Sequence, residues 1–441
     1  MGVPLTRPNP PRLSQAGPSL RTIESRGLFS NFGPVNTEFE AAMLARMFGG
    51  EGACLTVCNA TIGLMLAIQN AIGPRLAHAP AERRYALMPS FTFAAAAHAA
   101  MWCGLTPLFC DIDPTDWAAS ATAEEEMLRR YGKQVAVVVP YATFGHDIDL
   151  ARYERVTRRL GVPVVVDAAA SLGTVQADGR GFGAGFGGTV VFSMHATKSF
   201  ATGEGGLLYS ADAALMRNLR AMSNFGFGKP RTATMPGLNA KMSEVGALLG
   251  QLRLNGYDKV MDHRASLVRQ YRQALPELDF QPQKPARQAH QFASALLPPD
   301  LAPSRAAIQA AMLADGIGSA VYFSPHVAEQ GYFREHAVFE DLPVTTAVAA
   351  RIVSLPLFDV MTRRDLATVV ASLRRQIALA RTARPILQLG VQVRQVSPAR
   401  RPRGVRVSAP PVPASPVPAA LMPAPAVMEQ ASGLFAPQPS K

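Results

Sequence analysis

A chain of 441 residues, 48% of them hydrophobic, has material for two domains of ordinary size with sizeable cores. Its net charge of +12 is concentrated near the C-terminus, where residues 381 to 441 hold eight arginines and lysines against one acid, Glu429. The mild excess left for the body gives no electrostatic footprint for nucleic acid.

The opening residues, MGVPLTRPNPPRLSQ, have no apolar stretch of the kind an export signal needs, so the expectation is a cytoplasmic protein. They match the short MGxxxT acylation pattern, which is too brief to carry weight in an alanine- and arginine-rich, bacterial-looking chain. Residues 1–27, rich in Pro, Arg and Ser, read as a loose lead-in. From 28 to 255, short apolar runs (YALMPS, TPLFCDID, QVAVVVP, VPVVVDAA, TVVFS, GLLYS) alternate with helix-like segments such as NATIGLMLAIQNAIG and DLARYERVTRRLG. That alternation predicts a large α/β domain with a mainly parallel sheet. In the first of those helices Asn59 is the expected N-cap and Gly73-Pro74 the expected stop. The longest apolar stretch, Phe91 to Phe109, contains His98, Gly104 and Pro107, so it predicts a buried helix, a turn and a strand rather than a membrane span. Cys54, Cys58, Cys103 and Cys110 show no zinc spacing and read as reduced thiols, and nothing calls for a metal. A long amphipathic segment, 243 to 275, leads into residues 256–383, expected to form a smaller α/β domain. Residues 384–441, rich in Pro, Ala and Arg, read as a disordered tail.

Three stretches could carry chemistry. The GAGFGG run at Gly183 to Gly188 fits a dinucleotide pattern, but it precedes a strand where that motif should follow one, so it reads as a loop. Better placed are the amides of Ala60 and Thr61, which open a helix just after a strand and form a candidate phosphate nest. Asp167 follows three consecutive valines, at the strand end where open α/β sheets bind ligands. Lys198 stands alone in SMHATKSFATGEGG, among small and polar residues. Taken singly, the Ala60 and Thr61 turn is an ordinary capped helix and Asp167 an acid capping the next helix. Together they are what pyridoxal 5'-phosphate requires: a helix N-terminus for the phosphate, an acid for the ring nitrogen and an amine for the aldehyde.

At these residues the sequence resembles the DegT/StrS aminotransferases, through FSNFGPVNTEFE, PSFTF, DIDP, VVDAA, FSMHATKSFATGEGG and GLNAKMSE in this order. The resemblance implies a fold type I enzyme: a seven-stranded, mainly parallel sheet between helices, plus a smaller C-terminal α/β domain. It implies that Lys198 bonds the cofactor, Asp167 meets the pyridine nitrogen, Ser193 and the Ala60 and Thr61 amides bind phosphate, and Phe93 lies against the ring. It implies that Asn239 reaches the cofactor phosphate of a neighbouring subunit, hence a homodimer with shared sites. His195 and Tyr322 are set on the substrate side. Where the family usually has a glutamine near the cofactor this chain has Ala170, with Ser171 as the candidate replacement; a family histidine is Ala142 here. The implied reaction is ping-pong transfer of an amino group from an amino acid, glutamate by analogy, to a nucleotide-linked keto sugar. Left open are another reaction on the same cofactor, a lyase or dehydratase, and a non-catalytic regulator keeping the fold.

Overall fold

Seven short strands run through the centre of the computed structural model, which describes residues 2–76 and 84–388. They are β1 (Ala53–Val57), β2 (Tyr85–Pro89), β3 (Thr106–Cys110), β4 (Val135–Val138), β5 (Val165–Asp167), β6 (Thr189–Ser193) and β7 (Gly206–Ser210). β1, β7, β6 and β5 lie side by side, as do β3, β2 and β4; parallel bridges Val138 to Val164 and Tyr141 to Asp167 join the two groups. Only β7 runs against its neighbours. Every residue of β4 through β7 is buried, which explains why these strands are continuous apolar runs: a parallel sheet is covered on both faces.

The first helices are α1 (Gly17–Arg26), α2 (Pro34–Phe48), α3 (Ala60–Leu76), α4 (Ala94–Trp102), α5 (Ala121–Tyr131), α6 (Leu150–Leu160) and α7 (Ala213–Met222). Asn59 does cap α3, its Oδ1 accepting the Ile62 N–H at 2.9 Å. The expected stop does not hold, because the helix continues through Gly73-Pro74 to Leu76. The stretch from Phe91 forms α4, a turn at Gly104 and β3. Among the described residues no helix is long and apolar enough to cross a membrane.

A single 31-residue helix, α8 (Glu244–Ala274), leaves this sheet. Its Glu244 carboxylate accepts the Val35 and Asn36 N–H groups at 2.9 Å each, satisfying the free first turn of α2. Further on, Leu267, Val268 and Tyr271 enter a second core built on an antiparallel sheet of β8 (Asp279–Phe280), β9 (Ala293–Leu296) and β11 (Ile352–Leu355), with β10 (Val338–Phe339) extending the main sheet beside β3. The remaining helices are α9 (Arg305–Ala314), α10 (Gly331–His336), α11 (Pro343–Arg351) and α12 (Arg363–Gln388). The boundary expected at 255 therefore falls within an unbroken helix. Of the predicted tail, residues 384–388 end α12, and 389–441 lie outside the described residues.

The loose lead-in is a second correction. Val3 is buried and pairs with Ile317, its N–H donating to Gly316 O at 2.9 Å, and α1 buries Ile23 in the core of the large sheet. Two apolar side chains and one isolated backbone bridge are enough to seat a segment whose composition reads as unstructured.

Candidate active site

The chemistry gathers at the carboxyl ends of β5, β6 and β1. Parallel pairing puts Asp167 opposite Val191, and Ser193 ends β6 opposite Gly206 of β7. Gly206 also pairs with Val57, the last residue of β1, immediately before the turn into α3. A Cβ on Gly206 would fall 2.9 Å from the Ala60 nitrogen, so only glycine leaves the start of α3 open on this side. Ser193, itself buried, and the amides of Ala60 and Thr61 thus converge on a cradle that suits a phosphate.

Asp167 is 2% exposed and accepts the Ala169 N–H at 3.0 Å. Burial pushes its carboxyl up to about 6, against the opposing pull of the Ala169 amide and the Lys198 charge. Lys198, partly buried in the turn after β6, is drawn down to about 8 by the same loss of water, with Asp167 resisting. An acid and an amine close enough to feel each other's charge, both displaced toward neutrality, are typical of groups that exchange protons. Lys198 Nζ donates to Gln291 Oε1 at 3.0 Å.

Phe93 heads α4 with 59% of its surface exposed, which sets aside an ordinary core role and leaves its ring free for a planar ligand. Its ring centroid lies 6.4 Å from that of Phe323, which packs in turn on Phe91, Tyr141 and Phe144. Tyr322 stacks on Phe292 at 5.0 Å and adjoins Phe323, so these rings form a largely aromatic wall. His195 is partly exposed beside Lys198, its Nδ1 2.9 Å from Thr197 Oγ1 and its Nε2 3.6 Å from Glu204.

One expected residue is placed otherwise. Ser171 is fully buried and its hydroxyl donates to His146 O at 3.0 Å, fastening one loop to another. It is committed to the backbone and does not replace the family glutamine. Asn239 sits on an exposed arm, residues 224–241, with its Oδ1 accepting from Lys241 Nζ at 2.7 Å. Ala142 is wholly buried and its N–H donates to Asp167 O, while Ala170 is 4% exposed. Gln291, Thr197 and Gly206 were missed; of these only Gly206, in the GEGG run after Lys198, carried a local signal.

These residues fit pyridoxal 5'-phosphate. The glycine-walled cradle suits its phosphate, the buried Asp167 a protonated ring nitrogen, the exposed Phe93 ring its face and the Lys198 amine its aldehyde.

The model of the DegT/DnrJ/EryC1/StrS aminotransferase family matches residues 15–374. The chain is 33% identical to protein Rv3402c of Mycobacterium tuberculosis over 377 residues, covering 84% of this chain and 89% of that one. A crystal structure from Bacillus cereus, assigned as a PLP-dependent aminotransferase, superimposes with a TM-score of 0.79 at 37% identity, over 85% of this chain and all of that one. DesI, crystallised with its TDP-sugar product, superimposes with a TM-score of 0.76 at 30% identity, over 88% of this chain and 95% of that one.

Proposed function

Because the chain belongs to the DegT/DnrJ/EryC1/StrS family of pyridoxal-phosphate-dependent aminotransferases, we propose that it moves an amino group from an amino acid, glutamate by analogy, onto a nucleotide-linked keto sugar. The observation carrying this reading is the pair of Asp167, at the end of β5, and Lys198, in the turn after the adjacent β6, beside a cradle that suits a phosphate. DesI, with its TDP-sugar product, supports the sugar class.

When bound, the cofactor supplies an aldehyde and an electron-withdrawing ring. The chain's own residues do the rest of the work in this reading. Ser193, Ala60 and Thr61 bind the phosphate, and Phe93 covers the ring. Asp167 holds a proton at the ring nitrogen, a task favoured by a carboxyl that burial makes more basic. Lys198 Nζ takes a proton from the substrate carbon and returns it one position away, which an amine near neutrality does without strong base. Phe91, Phe144 and Phe323 exclude water from the acceptor side. His195 and Tyr322 border the substrate.

In this reading two protomers share their sites, each lending Asn239 to its neighbour. The arm bearing Asn239 leaves Phe225 45% and Leu238 37% exposed, apolar surface that a second copy would cover. The dimer is placed in the cytoplasm.

The test is spectroscopic. Purified protein should absorb near roughly 400 to 430 nm, the band expected when an amine holds this cofactor, lose it on adding glutamate, and regain it on adding a keto-sugar nucleotide. A band that glutamate and every other amino acid leave unchanged would sink the transamination reading.

A further inference from the structure

Among the described residues Lys198 Nζ hydrogen-bonds one side chain, and that side chain is distant in sequence: Gln291, 93 positions away. Gln291 is 7% exposed, so its amide must be satisfied inside the protein. An ammonium has donors only, which obliges the amide to face Lys198 with its oxygen and to turn its nitrogen away. That nitrogen lies 3.5 Å from Thr197 Oγ1. Having accepted there, the Thr197 hydroxyl has its single proton for His195 Nδ1, at 2.9 Å, which the Thr197 N–H also approaches at 3.3 Å. Nδ1 is therefore an acceptor, and the ring proton sits on Nε2, toward Glu204. The polar chain from Lys198 through Gln291 and Thr197 to His195 thus runs in one sense.

Both ends of the Lys198–Gln291 bond are also anchored to one carboxylate. Asp359 binds Arg253 at 2.6 Å and Arg264 at 2.7 Å, all three side chains being less than 8% exposed. Arg264 Nη1 then donates to the carbonyls of His290 and Gln291, at 3.1 and 3.2 Å. Arg253 Nη2 donates to the carbonyl of Ser199, beside Lys198, at 2.6 Å. The donor's loop and the acceptor's main chain are held by arms of the same cluster, which fixes their separation.

We propose that Gln291 is a positioning residue for the reaction, presenting a fixed amide oxygen that keeps the Lys198 amine in place while it is not bonded to the cofactor. The orientation of the amide comes from Thr197 and His195, and its position from Arg264. A free lysine side chain has many rotamers, so this bond restricts the amine during the proton transfer. The proposal rests on Lys198 being the amine that carries the cofactor.

The test uses the full-length protein loaded with pyridoxamine phosphate, in which Lys198 is a free amine. Acylation of Lys198 by a small anhydride, followed across pH by peptide mass spectrometry, gives the midpoint and rate of its reactivity. Gln291→Glu, nearly isosteric, should move the midpoint up by about one to three pH units, the effect of an opposite charge at this range. Gln291→Leu and Thr197→Val should both change the midpoint or labelling rate at Lys198, Thr197→Val less, with kcat reduced about tenfold and KM for the acceptor unchanged. Midpoints and rates equal to wild type in Gln291→Glu and Thr197→Val, with unchanged melting temperatures, would overturn the proposal even if Gln291→Leu fails to fold. Loading wild type with pyridoxal phosphate must protect Lys198; if labelling persists there, the proposal falls together with the reading beneath it.

Discussion

The protein buries acids among cations in two places and treats them in opposite ways. Around Asp359 each carboxylate oxygen has its own guanidinium, and the arginines spend further donors on backbone carbonyls. At the site, Asp167 has an amide and a lysine felt at a distance, and that lysine is given a neutral amide instead of a carboxylate. The first arrangement leaves little for a ligand to improve. The second leaves an acid and an amine each short of charge compensation; a protonated pyridine ring would pair with the acid, and an aldehyde would bond the amine in its neutral form. Incomplete pairing in a dry setting is what makes the strand ends reactive.

The contrast is most directly broken by Lys198→Ala, which should lower amino transfer by about 10⁴-fold while leaving the melting temperature unchanged or higher, because it removes an amine whose charge is disfavoured by its partial loss of water. Activity and calorimetry on the same preparation check both halves. Asp359→Ala should do the reverse in stability. Two buried arginines lose the acid that pairs with both, and unfolding in urea should show a loss of about 3–5 kcal/mol.

Asp167→Asn sharpens the comparison through pH. The Asp167 carboxyl lies near 6 in the folded protein against an ordinary 3.8, so its contribution to stability is complete below about pH 4 and is lost as pH rises through 6. In cofactor-free protein the Asn variant should lack this slope and be more stable than wild type above pH 6, by at most about 3 kcal/mol. Urea midpoints measured from pH 4 to 8 that fall in parallel for both proteins would refute the assignment. Smallest is Phe93→Ala: the exposed ring contributes little to folding, but cofactor titration should show affinity weakened about tenfold.

Much of this was legible in sequence where the cause is local. The central strands showed because a parallel sheet needs uninterrupted apolar runs. Asp167 showed because it ends an apolar strand, Lys198 because it stands alone in the small, polar turn after one, and the Asn59 cap because its hydrogen bond spans three residues. Gln291 and Asp359 did not, since the former meets Lys198 across 93 positions and the latter meets Arg253 across 106. Ser171 was misplaced for a related reason: a hydroxyl next to a site pattern was committed to a carbonyl 25 residues earlier, which no spacing rule reveals. The N-terminal stretch was misjudged because average composition hides single anchors such as Val3 and Ile23.

The continuous helix between residues 244 and 274 has a mechanical consequence. A rod about 46 Å long, at 1.5 Å per residue, touches the start of α2 at one end, the lysine loop through Arg253 about a third of the way along and the C-terminal sheet beyond. No hinge exists where the two halves of the chain meet along it, so swinging one half means flexing a spar that also bears on the reactive amine. On the proposed reading, adjustment to acceptors of different girth would fall to the connecting loops, while the helix holds the spacing of the chemical groups.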